Sequence, residues 1–153
     1  MKILEKFNIV PNDIKIYEQA FCHSSYGNEH EQEENYERLE FLGDAVLELI
    51  ITDYFYNNTD VEEGKMTKLR ASYVCENALY EYASDLGFSD YIKVGHGEEL
   101  AGGKYRKAIL ADTFEAFIGA IYLDKGYNKA YEFVYQVVIP YIENNNISFF
   151  NDY

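Results

Sequence analysis

The feature that most constrains this chain is a helical periodicity running between its two prolines, Pro11 and Pro140. Proline breaks helices, so its absence from the middle of the chain leaves room for long ones. Apolar residues there recur at three- and four-residue spacing, which is typical of amphipathic helices, and no alternating pattern is strong enough to assign a strand. We therefore predict an all-α fold.

Polar or glycine-containing segments separate the predicted helices. The predicted helices cover residues 3–7, 14–22, 36–56, 62–87, 105–124 and 129–143. Two loops are expected, an acidic one over 26–35 and one between Gly87 and Lys104 that contains several glycines. Residues 1–143 are predicted to form one domain, and 144–153 a linker-like tail.

Charge and composition narrow the classes of function. The 27 acidic and 13 basic residues give a net charge of −14, which argues against a simple nucleic-acid-binding module, normally a basic protein. No apolar run approaches the ~18–20 residues of a membrane span, so no membrane association is expected. The only cysteines are Cys22 and Cys75. This predicts no disulfide framework and favours a reducing cytoplasm.

The predicted helix 36–56 carries acids where a simple amphipathic helix would not. At 100° per residue, four acids share a stripe about 80° wide. They are Glu37, Glu40, Asp44 and Glu48. The predicted core face is Leu39, Leu42, Val46, Leu49 and Ile50. A solvated acidic face is one interpretation, but the stripe contains no basic residue to relieve repulsion and does contain Phe41. An aromatic side chain there makes sense if a partner surface covers it.

The predicted helix 105–124 repeats the pattern with Asp112 and Glu115. Their stripe also holds Ala108, Ala116 and Gly119. Such small residues let another helix approach closely, and packed carboxylates without basic partners must raise their pKa values or bind a cation. If Glu40 and Asp44 face this stripe, four carboxylates converge with no histidine or cysteine. An all-oxygen set selects a hard divalent ion, Mg²⁺, Mn²⁺ or Ca²⁺, and such sites also bind phosphates.

The string ERLEFLGD at residues 37–44 resembles the signature of the ribonuclease III family. Upstream, CHSS at 22–25 resembles the family's T-H-x-S element, with cysteine in place of threonine. Downstream, EGKMTKLR at 63–70 resembles its E-G-x-[ML]-[ST]-x-x-R block, and the ILAD string with Glu115 resembles a later one. The resemblance spans about residues 13–125.

The resemblance implies an all-α catalytic domain that forms a homodimer and hydrolyses double-stranded RNA with Mg²⁺, for which Mn²⁺ substitutes. It implies products with 5′-phosphate and 3′-hydroxyl ends. Metal-site carboxylates are assigned to Glu40, Asp44, Asp112 and Glu115, of which Asp44 and Glu115 are the expected catalytic residues. It further implies that Glu37 and Glu63 are acids of the cleft, and that Phe41 and Glu63 lie at the dimer interface.

Basic residues near these motifs are candidates for RNA contacts, although each is also interpretable as an ordinary surface charge. They are Lys65, Lys68, Arg70, Lys104, Arg106 and Lys107. In bacterial members of the family, duplex binding comes largely from a separate C-terminal domain. The ending Asn151-Asp152-Tyr153 resembles the place where that domain begins. We expect a longer enzyme, with a short single-domain member as the alternative.

Two other classes of function compete with a nuclease. A catalytically silent relative would serve as a structural or RNA-binding component, but none of the family's acidic positions is substituted. A di-iron carboxylate oxidase would need Glu-x-x-His pairs, which this chain lacks. His23 is interpreted as a hydrogen-bonded packing residue. Ribosomal precursors, messenger RNA and small-RNA duplexes all remain open as natural substrates.

Overall fold

A computed structural model describes residues 1–30 and 34–145, and within these ranges the regular structure is helical. The helices are α1 Lys2–Lys6, α2 Ile14–Ala20, α3 Ser24–Glu29, α4 Glu37–Asn58, α5 Glu63–Val74, α6 Glu76–Asp85, α7 His96–Leu100, α8 Lys107–Lys125, α9 Tyr127–Val137 and α10 Ile139–Asn145. Two short 3₁₀ turns cover Phe88–Asp90 and Gly103–Tyr105. The all-α prediction is confirmed. None of the helices in the described part of the chain is both long and apolar enough to cross a bilayer.

Two predicted helices are in fact each divided. The prediction of one helix over 62–87 is wrong, because Cys75 adopts extended backbone angles (φ −73°, ψ 165°) and separates α5 from α6. This break lets α5 contact α4 while α6 packs on α8. The prediction of one helix over 129–143 is wrong at Val138, the residue that separates α9 from α10. Pro140 lies in the first turn of α10, the position in a helix where its missing N–H is tolerated.

The predicted loops also contain structure. The segment 26–35 holds most of α3, and the glycine-containing segment after Gly87 holds α7 and both 3₁₀ turns. These helices of five or six residues are too short to leave a visible hydrophobic period. Asn144 and Asn145 are the last residues of α10. The rest of the predicted tail, 146–153, lies outside the described residues.

Helix α8 is the centre of the fold and packs against α2, α4, α6 and α9. Two glycines bring it close to α4. A Cβ atom on Gly43 would lie 1.7 Å from the backbone oxygen of Glu115, and one on Gly119 would lie 2.3 Å from that of Leu39. The two backbones are therefore in direct contact, as the small-residue stripe of α8 predicts. Ala108, at the exposed start of α8, takes no part in this burial.

The buried face of α4 differs from the predicted one. Leu49 is 56% exposed, so its place in the predicted core is wrong, whereas Leu47 and Ile51 are fully buried. The reason is that α4 contacts α5, α8 and α9, so the face that it buries is wider and turned relative to a single stripe. The four acids of the stripe lie in the N-terminal part of α4, from Glu37 to Glu48.

Candidate metal centre

Three carboxylates from two helices form a compact cluster. Glu40 comes from α4, and Asp112 and Glu115 lie one turn apart on α8. One ligand oxygen from each of the three lies within 4.8 Å of the others. Glu115 is only 7% exposed, and the other two are half-buried. The contact between Gly43 and Gly119 sets this spacing, because it sits within one turn of Glu40 and Glu115.

The other acids of the predicted stripe lie around this cluster. Asp44 is exposed one turn after Glu40, and its side chain shares a hydrogen bond with Glu115. Glu37 is exposed one turn before Glu40, close enough for its charge to raise the pKa of Glu40. Glu48 is half-buried a further turn along α4. Three of the four predicted metal residues thus share one small volume, with Asp44 at its edge.

Burial and mutual repulsion perturb the protonation of the cluster. Burial, together with the hydrogen bond and charge of Asp44, raises the pKa of Glu115 to about 10. Burial and the neighbouring Asp112 raise the pKa of Glu40 to about 7. Burial also raises the pKa of Asp112, against the opposing effect of hydrogen bonds from Glu40 and Tyr36. Without a cation, the cluster therefore retains protons near neutral pH.

The donor set fits a hard divalent cation. The clustered ligands are carboxylate oxygens, and no histidine or cysteine is among them. Mg²⁺ and Mn²⁺ prefer such ligands, whereas zinc and copper sites favour nitrogen and sulfur. No lysine or arginine in the described residues forms an ion pair with Glu40, Asp112 or Glu115. A bound cation would displace the retained protons and supply the missing positive charge.

Tyr36 contacts Asp112, and the sequence analysis did not predict it as a residue of the site. It is 3% exposed, and its hydroxyl donates a long hydrogen bond of 3.5 Å to Oδ2 of Asp112. The His23 ring meets the Tyr36 ring edge to face, with centroids 5.7 Å apart, and His23 Nδ1 lies 2.7 Å from the Ser25 hydroxyl. These contacts agree with a packing role for His23. The sequence signal that could have identified Tyr36 is its position one helical turn before Glu40.

Glu63 lies apart from the three clustered carboxylates. It is exposed at the start of α5 and lines a cavity of about 180 Å³. The other lining residues are Thr52, Phe55, Tyr56, Met66, Thr67 and Arg70. Phe41 projects elsewhere on α4, beside Glu40, and is 72% exposed. The residues predicted for a dimer interface therefore occupy two separate places on one protomer.

Most of the predicted RNA-contacting cations are engaged within the protein. Lys104 pairs with Glu99 at 3.2 Å, and Arg106 pairs with Glu98. Lys107 Nζ donates a hydrogen bond to Asn77 Oδ1 at 2.6 Å, and Arg70 Nη1 donates one to Thr52 Oγ1 at 2.8 Å. Lys65 and Lys68 are exposed and line an open groove of about 290 Å³ along α5. The groove is a candidate site for contacts with phosphates.

Comparison with known proteins identifies relatives for most of the chain. A family model described as Ribonuclease-III-like matches residues 13–142. "Ribonuclease 3" of Listeria monocytogenes serotype 4a is 54% identical over 134 residues, covering 86% of this chain and 58% of that protein. "Ribonuclease 3" of Bacillus cereus strain G9842 is 49% identical over 152 residues, covering 97% and 62%. The chain thus spans about three fifths of the length of these curated relatives.

Solved structures share the fold. The nuclease domain of ribonuclease III from Campylobacter jejuni is 35% identical, with a TM-score of 0.81 over 95% of this chain and 97% of that one. That nuclease domain shows structural flexibility in a region involved in dimer formation. Dicer from Pichia stipitis is 27% identical, with a TM-score of 0.63 over 94% of this chain and 62% of that one. The similarity covers the helices that carry the carboxylate cluster.

Proposed function

Because the chain belongs to the ribonuclease III family, we propose that it is an endoribonuclease that hydrolyses double-stranded RNA with a divalent metal ion. The proposed ion is Mg²⁺, with Mn²⁺ able to substitute, and the proposed products carry 5′-phosphate and 3′-hydroxyl ends. The observation that carries the proposal is the meeting of Glu40, Asp112 and Glu115 within 4.8 Å. Packed acids without basic partners are costly to folding, which a functional role would explain.

Each carboxylate of the site has a distinct proposed task. Glu40 of α4 and Asp112 of α8 would hold the ion, and the buried Glu115 would also be a ligand. Asp44, which is exposed and hydrogen-bonded to Glu115, would be the fourth metal-site carboxylate, at the edge of the cluster. When bound, the ion supplies Lewis-acid activation of water and neutralises charge that develops on the phosphate. Asp44 and Glu115 are the proposed catalytic pair.

Charge favours an RNA interaction that depends on the metal. The net charge of −14 and the acidic cleft repel a polyanion until a cation occupies the site. Lys65 and Lys68 lie on the open face of α5, where phosphates can reach them. Glu37 and Glu63 remain proposed cleft acids. A catalytically silent relative is not favoured, because every acidic position expected of an active member is present in this chain.

The proposed setting is the processing of ribosomal and messenger RNA precursors in the cytoplasm. Neither Cys22 nor Cys75 forms a disulfide bond within the described residues, which suits a reducing compartment. The duplex preference is testable with a single purified protein and two RNAs.

We expect the folded protein to cut a long RNA duplex in Mg²⁺ and to leave it intact in EDTA, because the carboxylates alone lack a cation to stabilise the transition state. A single strand of the same sequence should be cut far more slowly. Denaturing gels of end-labelled RNA measure both. Failure of the folded dimer to cut duplex in Mg²⁺, or equal cutting in EDTA, would contradict the proposal.

We also propose a homodimer, because Phe41 and Phe55 both lie on α4, and Phe55 lines the cavity between α4 and α5. Fourteen residues separate them, about 21 Å at 1.5 Å per residue. Two α4 helices crossing antiparallel about a two-fold axis would bring each Phe41 to the partner's cavity, which is a self-complementary arrangement. Burying a side chain that is 72% exposed would stabilise the pair.

Phe41→Ala is expected to weaken self-association at least tenfold, since truncation of a buried aromatic anchor typically costs more than about 1.4 kcal/mol. Sedimentation equilibrium measures the dissociation constant. Val10→Ala is the matched control, because Val10 is 76% exposed and lies outside both predicted contact regions. A Phe41→Ala protein that dimerises like the parent would show that Phe41 does not dock into the partner.

A further inference from the structure

Tyr36 is held firmly at the entrance to α4. Its backbone N–H donates to the carbonyl of Cys22 at 2.9 Å, and its own carbonyl accepts from the N–H of Glu40 at 2.8 Å. Its side chain is almost fully buried. The phenol therefore extends from a backbone anchored on both sides, and its hydroxyl reaches Oδ2 of Asp112 at 3.5 Å.

A second set of contacts sets the direction of the Tyr36 ring. The ring of His23 lies against it at an interplanar angle of 87°. His23 is itself held by Ser25, whose hydroxyl also accepts from the N–H of Gly95 at 2.8 Å. A chain of contacts thus runs from the α3 N-terminus through His23 and Tyr36 to Asp112.

The Tyr36 hydroxyl contacts only one of the two carboxylate oxygens of Asp112 in the hydrogen bond described above. A carboxylate has two oxygens, and a donor held on one of them determines which oxygen is presented to a metal ion. Asp112 is half-buried between Glu40 and the Tyr36 hydroxyl. We propose that Tyr36 is a positioning residue that orients the Asp112 carboxylate toward the cation site. This inference rests on the proposed metal-dependent function and adds a residue to it.

Tyr36→Phe tests the inference, because the phenyl ring keeps the buried volume and removes only the hydroxyl. Loss of a partner of this kind typically weakens metal binding by about 10–100-fold. We expect the dissociation constant for Mn²⁺, measured by titration calorimetry on the full chain, to rise at least tenfold. Cleavage of duplex RNA by the variant should need more Mn²⁺ but approach the parent rate at saturating Mn²⁺.

Tyr17→Phe is a matched control. Tyr17 is also fully buried, and its hydroxyl also donates to a carboxylate, Oδ2 of Asp124, at 2.7 Å. Asp124 lies at the far end of α8, where it also accepts from the N–H groups of Asn12 and Asp13. This variant should lower the melting temperature in EDTA and leave the Mn²⁺ dissociation constant unchanged.

The outcomes separate the inference from the proposed function. If the parent protein binds no Mn²⁺ and cuts no duplex RNA, the proposed function is wrong, and the inference about Tyr36 is overturned as well. If the parent does both and Tyr36→Phe binds Mn²⁺ equally well, only the inference is overturned. Equal weakening in Tyr36→Phe and Tyr17→Phe would also overturn it, because the effect would then follow general stability. Selective weakening in Tyr36→Phe supports it.

Discussion

Replacing Glu115 by glutamine is expected to abolish metal-dependent cleavage of duplex RNA while making the metal-free protein more stable. The amide keeps the size of the side chain but cannot carry the negative charge that holds a cation. Transition-state stabilisation by a bound metal is worth several kcal/mol, so we expect a loss of roughly a thousandfold or more. Quantitative cleavage assays at saturating Mg²⁺ measure the rate.

The gain in stability follows from the protonation of Glu115. Its pKa, raised from 4.5 to about 10 by burial and by Asp44, means that the native state binds more protons than the unfolded chain across that range. The free energy of unfolding of the metal-free protein therefore falls as the pH rises through this window. Glutamine does not titrate and so removes this part of the slope. At pH 8 we expect the variant to be more stable by about 1–3 kcal/mol.

Thermal unfolding in EDTA between pH 5 and pH 9 measures this effect. The expected gain corresponds to a melting temperature higher by roughly 2–4 °C for each kcal/mol in a chain of this size. Glu5→Gln, a change of an exposed acid on α1, is the control and should leave the pH profile and the cleavage rate unchanged. A Glu115→Gln protein that cuts RNA at the parent rate, or melts below the parent at pH 8, would refute the assignment.

Gly43→Ala is expected to have the largest effect on folding. The added methyl group would lie 1.7 Å from the backbone oxygen of Glu115, and backbone atoms of a packed helix cannot rotate out of the way as a side chain does. The helices α4 and α8 must then separate, at a cost of at least about 3 kcal/mol. Separation would also move Glu40 away from Asp112, so any folded fraction should bind Mn²⁺ more weakly.

Gly64→Ala is the matched control for Gly43→Ala. Gly64 is exposed in α5, and a Cβ added there meets nothing within 4 Å. Alanine favours the helix more than glycine, so this change should be neutral or stabilise the protein by up to about 1 kcal/mol. Chemical denaturation followed by circular dichroism measures both free energies of unfolding. A Gly43→Ala protein as stable as the parent would show that the two helices do not meet at this glycine.

Much of the fold follows from patterns local to each helix. Apolar spacing correctly predicts the long helices α4 and α8, because their period of 3.6 residues extends over several turns. The small residues around Glu115 correctly predict that another helix approaches α8. The same patterns miss α3 and α7, which are too short to show a period. They also miss the break at Cys75, where neither proline nor glycine marks the end of α5.

The sequence by itself determined which acids share a helical face, because that depends only on spacing along one helix. It could not determine which faces meet. The glycine contact between α4 and α8 brings Glu40 to Asp112 and Glu115, leaves Asp44 at the edge and places Glu63 in a separate cavity. The alignment of Tyr36 with Asp112, 76 residues away, likewise exists only in the folded chain. Such contacts depend on how whole helices pack, which no local period encodes.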